Sequence, residues 1–129
     1  MFKKEEIKKY IDDLGISRDD YIIIAGGSLT MQGVTEKTDD IDLYVNKSGF
    51  DFLKNKFDVT RSNKPYPNHY TVNDILEVVL KEDFSKAESV SIEGYKCTTI
   101  EDEYEWKKSH GREKDKAVLE VMEQYLANK

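Results

Sequence analysis

The sequence predicts an α+β domain in which a mixed β-sheet is flanked by helices. Three observations predict it. Tyr21-Ile22-Ile23-Ile24-Ala25 is a continuous apolar run rich in β-branched residues, too short for a helix and suited to a buried strand. Ile41 to Val45 alternates apolar and polar side chains with the period of a strand. Both ends of the chain carry apolar residues at helical spacing, and strands interleaved with helices and hairpins give a mixed architecture.

In chain order, Phe2, Ile7, Ile11 and Leu14 mark one face of a first helix, with Gly15 as its C-terminal stop. The strand Tyr21–Ala25 runs directly into Gly26-Gly27-Ser28, and the second strand is Ile41–Val45. Ser48 is placed to cap a helix over Gly49–Lys56, with Phe50 and Leu53 facing inward. A third strand is expected over Phe57–Thr60, and Arg61–Asn68, which holds Pro65 and Pro67, reads as a loop. Asn73-Asp74 separates Tyr70–Val72 from Ile75–Leu80 as a hairpin turn, and Gly94 marks a second hairpin between Ser89–Ile92 and Tyr95–Thr98. Ile100 to Ala127 is helical in pattern. Gly111 divides it, and Val118, Leu119, Met122 and Leu126 line the second half. Tyr104 and Trp106 are expected in the core.

A length of 129 residues fits one domain over 1–129. Hydrophobic residues are 38% and charged residues 36%, a polar globular balance, and the net charge of -6 argues against a general nucleic-acid binder. Cys97 is the single cysteine, which excludes an intrachain disulfide and suits a reducing compartment. Met1 to Tyr10 is charged rather than apolar, so no signal peptide is expected. No apolar run has the length of a membrane span. The expected location is cytoplasmic, with no membrane partner.

The chemistry concentrates between Tyr21 and Val45. On a strand with period two, Asp40 and Asp42 project from one face while Ile41, Leu43 and Val45 project from the other. Two carboxylates side by side repel by about 4 kcal/mol at ~4 Å and an effective dielectric near 20. A divalent cation reverses the sign, and an all-oxygen ligand set suits Mg²⁺ or Mn²⁺ shared with substrate phosphates. The Gly26-Gly27-Ser28 turn lets backbone approach a ligand closely, and if Ser28 opens a short helix through Met31, its first amides face a phosphate. Glu77 is the best candidate for a third carboxylate, because it interrupts the apolar run Ile75–Leu80, where an unpaired charge is costly. A solvent-facing place on an edge strand is the alternative for Glu77. Asp74 competes with it but falls at the presumed turn.

Gly26-Gly27-Ser28 followed after a polar link by Asp40-Ile41-Asp42 resembles the signature of the DNA polymerase β-like nucleotidyltransferase superfamily, especially its small bacterial and phage members, the lincosamide-resistance and abortive-infection relatives. Thr99-Ile100-Glu101, Lys107 and Gly111-Arg112-Glu113-Lys114-Asp115 resemble the C-terminal helical element of those proteins, and Ile92–Cys97 resembles their short hairpin. The resemblance implies a nucleotidyltransferase-like mixed sheet. It also implies transfer of a nucleoside monophosphate from a nucleoside triphosphate to a hydroxyl acceptor. Asp40 and Asp42 match the metal-binding catalytic carboxylates, Glu77 the third, and Gly26, Gly27, Ser28, Lys107 and Arg112 match nucleotide-binding positions. Many members carry an Arg shortly after the turn; here those positions are Leu29, Thr30, Met31 and Gln32.

The acceptor stays open among a small molecule, a protein hydroxyl and an RNA end, with a homodimer or a protein partner able to complete the pocket. Two alternatives to the enzyme remain on the sequence alone: a catalytically silent nucleotide-binding module, and an antitoxin- or inhibitor-type interaction protein on the same scaffold. Lys107 and Arg112 have a structural alternative as ion-pair partners of Glu103 or Asp115. His69, His110 and Cys97 show no zinc-ligand spacing.

Overall fold

The computed structural model describes residues 1–84 and 88–128. A two-residue strand β1 (Phe2–Lys3) leads into helix α1 (Lys4–Leu14), whose buried stripe is Ile7, Ile11 and Leu14 and whose C-terminal cap is Gly15 at φ +80°. Strand β2 (Tyr21–Ile24) is buried along its length and passes straight into helix α2 (Ala25–Met31). Strands β3 (Lys37–Thr38) and β4 (Ile41–Val45), helix α3 (Lys47–Lys56) and strand β5 (Val59–Arg61) follow. The hairpin of β6 (His69–Val72) and β7 (Leu76–Leu80) turns on Asn73 and Asp74, both at positive φ. The second hairpin pairs β8 (Ser89–Ile92) with β9 (Tyr95–Thr98), and the chain finishes in helices α4 (Ile100–His110) and α5 (Lys116–Ala127).

Seven strands form one mixed sheet in the order β5-β6-β7-β4-β2-β9-β8, and β1 pairs separately with β3. Within the large sheet β4 runs parallel to β7 and β2 parallel to β9; the other pairs are antiparallel. The alternation in the sequence gives each sheet face its character. Tyr21, Ile23, Ile41, Leu43, Val45, Val72, Leu76, Val78, Tyr95 and Cys97 meet Ile7, Ile11, Leu14 and Leu53 of α1 and α3 in the main hydrophobic core. A second, smaller core joins Leu29, Val34, Ile100 and Met122, and so ties α2, α4 and α5 into a layer beside the opposite face. The remaining side chains of β4 and β7 point into the gap between that face and that layer.

Expectations shift at several element boundaries. β2 stops at Ile24, because Ala25 takes φ +56°, outside strand geometry, and opens α2. α3 begins at Lys47 because Asn46, not Ser48, is the cap: its side-chain oxygen accepts from Gly49 N at 2.9 Å. The third strand starts at Val59, two residues late, because Phe57 N still bonds to Leu53 O and belongs to the helix end. Phe2 lies on β1 beside Thr38 rather than in the first helix, although it still packs against the main core. Among the described residues no helix is long and apolar enough to cross a membrane.

Candidate active site

A cleft of about 660 Å³ lies between the open sheet face and the α2/α4/α5 layer, within the usual size range of small-molecule sites. β4 and β7 supply its acidic floor. In their parallel register Asp42 stands directly opposite Glu77, and Asp40 precedes Asp42 by two residues at the mouth of β4. All three line the cleft. β7 is an interior strand between β6 and β4, so Glu77 is not on a sheet edge. Asp74 stays in the hairpin turn.

The three acids sit in different surroundings. Asp40 is exposed. Burial pushes the Asp42 carboxyl up to about 6; the Lys64 charge opposes this, and the charges of Asp40, Glu77 and Glu103 add to it. Glu77 Oε1 accepts a hydrogen bond from Thr71 Oγ1 at 3.3 Å and lies 3.8 Å from Lys64 Nζ. Its second oxygen, Oε2, is buried with no partner among the described residues. An orphaned carboxylate oxygen beside a carboxyl disfavoured as an anion is an arrangement that a cation would relieve. The donor set is all oxygen, which fits Mg²⁺ or Mn²⁺ rather than zinc. Among the described residues no three His, Cys, Asp or Glu side chains are already grouped as a metal cage. Asp40, Asp42 and Glu77 would hold such an ion only after side-chain adjustment, with phosphate or water completing its shell, the usual pattern for Mg²⁺.

The glycine turn is built differently from its sequence reading. α2 starts at Ala25, so Ser28 lies a full turn inside it. Ser28 is fully buried, its Oγ donating to Thr98 O at 2.6 Å and accepting from Gln32 Nε2 at 2.9 Å. Ser28 and Gly27 do not line the cleft; Gly26 does. The first amide of α2, Ala25 N, donates to Glu103 Oε2 at 3.0 Å, and the same oxygen accepts from Thr98 Oγ1 at 2.6 Å. A buried glutamate thus holds the strand-to-helix turn shut. Gly26 is favoured by packing: a Cβ there would collide with the Thr38 hydroxyl of β3.

The cations of the cleft come from several elements. Lys107 is buried on α4 with Nζ 3.4 Å from Asp115 Oδ1, and Arg112 Nε donates to Asp115 Oδ2 at 2.7 Å. Burial alone would raise the Asp115 pKa, but the Arg112 hydrogen bond and the Lys107 charge outweigh it and the pKa is lowered. Both cations keep a place on the cleft wall while anchored by one carboxylate. Lys64, Lys81 and Lys114 also line the cleft; the sequence pointed to Lys114 only as part of the Gly111–Asp115 element and gave no sign of Lys64 or Lys81. Lys64 lies in the Pro-flanked loop, where no periodicity gives a direction. His69, on β6, also lines the cleft; burial and then the Lys64 charge hold its pKa below the usual value, with Glu77 acting the other way. The expected core residue Trp106 is instead 38% exposed on the cleft wall, because α4 turns Glu103 and Lys107 inward and Trp106 outward. A signal for Glu103 existed in the sequence: an acid four residues before Lys107 shares its helix face.

No protein-family model matches the chain, and no match is found among curated proteins. Among solved structures, the crystal structure of a proposed nucleotidyltransferase from Thermotoga maritima is similar, with a TM-score of 0.59 at 16% sequence identity over 99% of this chain and 97% of that chain. The fold is therefore a nucleotidyltransferase-like α+β fold.

Proposed function

We propose that the chain is a metal-dependent nucleotidyltransferase that moves a nucleoside monophosphate from a nucleoside triphosphate to a hydroxyl acceptor. One observation carries this reading: the β4–β7 register sets Glu77 opposite Asp42, with Asp40 beside them, on the floor of a cleft whose walls bear Lys64, Lys107, Arg112 and Lys114. Acids facing cations across a gap suit a ligand that brings its own phosphates and divalent ion. The similarity of fold to the Thermotoga protein supports the same reading.

Asp40, Asp42 and Glu77 would hold Mg²⁺ or Mn²⁺, which when bound neutralises phosphate charge and orients the reacting oxygens. The acceptor oxygen attacks the α-phosphorus in line, the bond from that phosphorus to the β-phosphate oxygen breaks, and pyrophosphate leaves. The acceptor proton passes to a carboxylate of the floor. Lys64, Lys107, Arg112 and Lys114 hold the anionic tail, a task that falls to them because Ala25 N is already bonded to Glu103 and Ser28 Oγ to Thr98. Gly26 lets the tail pass close to backbone.

The first test compares the wild type with the Asp40→Asn/Asp42→Asn variant. Thermal stability is read with ATP, GTP, CTP and UTP, each with and without Mg²⁺ or Mn²⁺, and pyrophosphate release is followed in parallel. A nucleotide at about 100 times its dissociation constant adds ~2.7 kcal/mol to stability. A metal-dependent rise lost in the variant, with pyrophosphate released, supports the enzyme. No rise with any nucleotide in a folded sample sinks it. One observation favours a second reading, a catalytically silent nucleotide-binding scaffold: Lys107 and Arg112 are both bonded to Asp115. Stabilisation without pyrophosphate, across an acceptor panel of small alcohols, protein hydroxyls and RNA ends, is its signature.

A further inference from the structure

We propose that Tyr66, His69 and Trp106 form a subsite for a planar heteroaromatic ring, in the same cleft as Asp40, Asp42 and Glu77. The three side chains come from the loop before β6, from β6 itself and from α4, and all three line the cleft. Their rings follow one another, with 5.3 Å between the His69 and Tyr66 centroids and 6.3 Å between Tyr66 and Trp106. His110 stacks on Trp106 at 3.8 Å and the Arg112 guanidinium lies 4.6 Å from its centroid, so the indole is held in place by its own neighbours. None of the three belongs to either hydrophobic core, so holding the fold together does not account for their grouping.

His69 Nδ1 narrows the ligand. It is buried with no partner among the described residues; a turn of the ring toward the cleft would offer it to a ligand, and an unmet hydrogen-bonding atom beside aromatic surfaces suits a ligand that has both faces and polar edges. An aliphatic ligand would cover the rings and leave Nδ1 unused; a bare phosphate would use Lys64 and Arg112 and leave the rings unused. A heterocycle carrying a phosphate or sitting next to one uses all of them. It is either the base of the nucleoside triphosphate or a ring on the acceptor. The proposal rests on the nucleotidyltransferase reading only for the expectation that this ring lies next to phosphates.

Trp106 is the single tryptophan, so its emission reports on this wall alone. The wild type is titrated with adenosine, guanosine, cytidine and uridine in the presence of a chelator, and with ribose 5-phosphate as a ring-free control. The expected result is a saturable change with at least one nucleoside at millimolar concentration or below, and none with ribose 5-phosphate. Affinity should fall about fivefold or more in Tyr66→Ala and His69→Asn. Tyr66→Leu, which keeps bulk without a π face, serves if Tyr66→Ala does not fold. No change with any nucleoside, or wild-type affinity in folded Tyr66 and His69 variants, overturns the proposal. The Asp40→Asn/Asp42→Asn variant should still bind the nucleoside, so loss of metal-dependent nucleotide binding there and loss of ring binding in the Tyr66 variants fail independently. Displacement of the nucleoside by a manganese–nucleoside triphosphate complex assigns the ring to the donor; joint binding assigns it to the acceptor.

Discussion

Replacing Asp42 with asparagine is expected to stabilise the ligand-free protein at neutral pH. The Asp42 carboxyl titrates near 3.8 when unfolded and is pushed up to about 6 in the fold, chiefly by burial. Below the unfolded value both states hold the proton and the folded state bears no penalty. As pH rises through the unfolded value, the unfolded chain releases its proton while the folded one keeps it, so stability falls, and the fall is complete once the folded group ionises. A shift of about two units corresponds to roughly 3 kcal/mol. Asparagine has no charge to lose and escapes this term. Its buried amide still needs a partner, at a cost of about 1–3 kcal/mol if none is found. The orphaned Glu77 Oε2 provides an acceptor in the same cluster. The net gain expected near pH 7 is therefore about 1–2 kcal/mol, vanishing below about pH 4. Urea unfolding in chelator at both pH values measures it, and the midpoint should rise by roughly 1 M at the higher pH with an unchanged slope. A variant that is no more stable near pH 7, or that gains equally at both pH values, refutes the view that this position is held against its own stability for a cationic ligand. Added Mn²⁺ should stabilise the wild type more than the variant.

Three further outcomes are expected from the parts that hold the cleft. Glu103→Ala leaves Ala25 N–H and the Thr98 hydroxyl without their acceptor, so chemical denaturation should show a loss of about 2–4 kcal/mol, with Glu103→Gln losing clearly less because its carbonyl still accepts. Asp115→Ala strands the buried Lys107 ammonium; a loss of about 3–5 kcal/mol is expected by denaturation, and a loss under about 1 kcal/mol would show that Lys107 finds water or another anion. Gly26→Ala should destabilise through its collision with Thr38, and Thr38→Ala in the same chain should recover part of that loss; purely additive effects in the double-mutant cycle would discount the contact.

The sequence by itself determined the elements whose cause is local. Gly15 ends α1 in the left-handed region, Asn73-Asp74 and Glu93-Gly94 turn the two hairpins at positive φ, and Gly111 splits the last helices. The alternation in Ile41–Val45 was enough to put Asp42 on the face opposite Ile41 and Leu43, since a strand has only two faces. Ser28 shows where such reasoning ends. A Gly-Gly-Ser turn after a strand has the composition of a ligand loop, but whether the hydroxyl meets a ligand or Thr98 depends on β9, seventy residues away in the chain. Tertiary structure alone decided that β4 and β7 are parallel neighbours, and with it that Glu77 faces Asp42, because strand order is set by which hydrophobic faces pack together and not by proximity in sequence. It alone brought Tyr66, His69 and Trp106 onto one wall, since a loop, a strand and a helix share no periodicity that a reader of the sequence can follow.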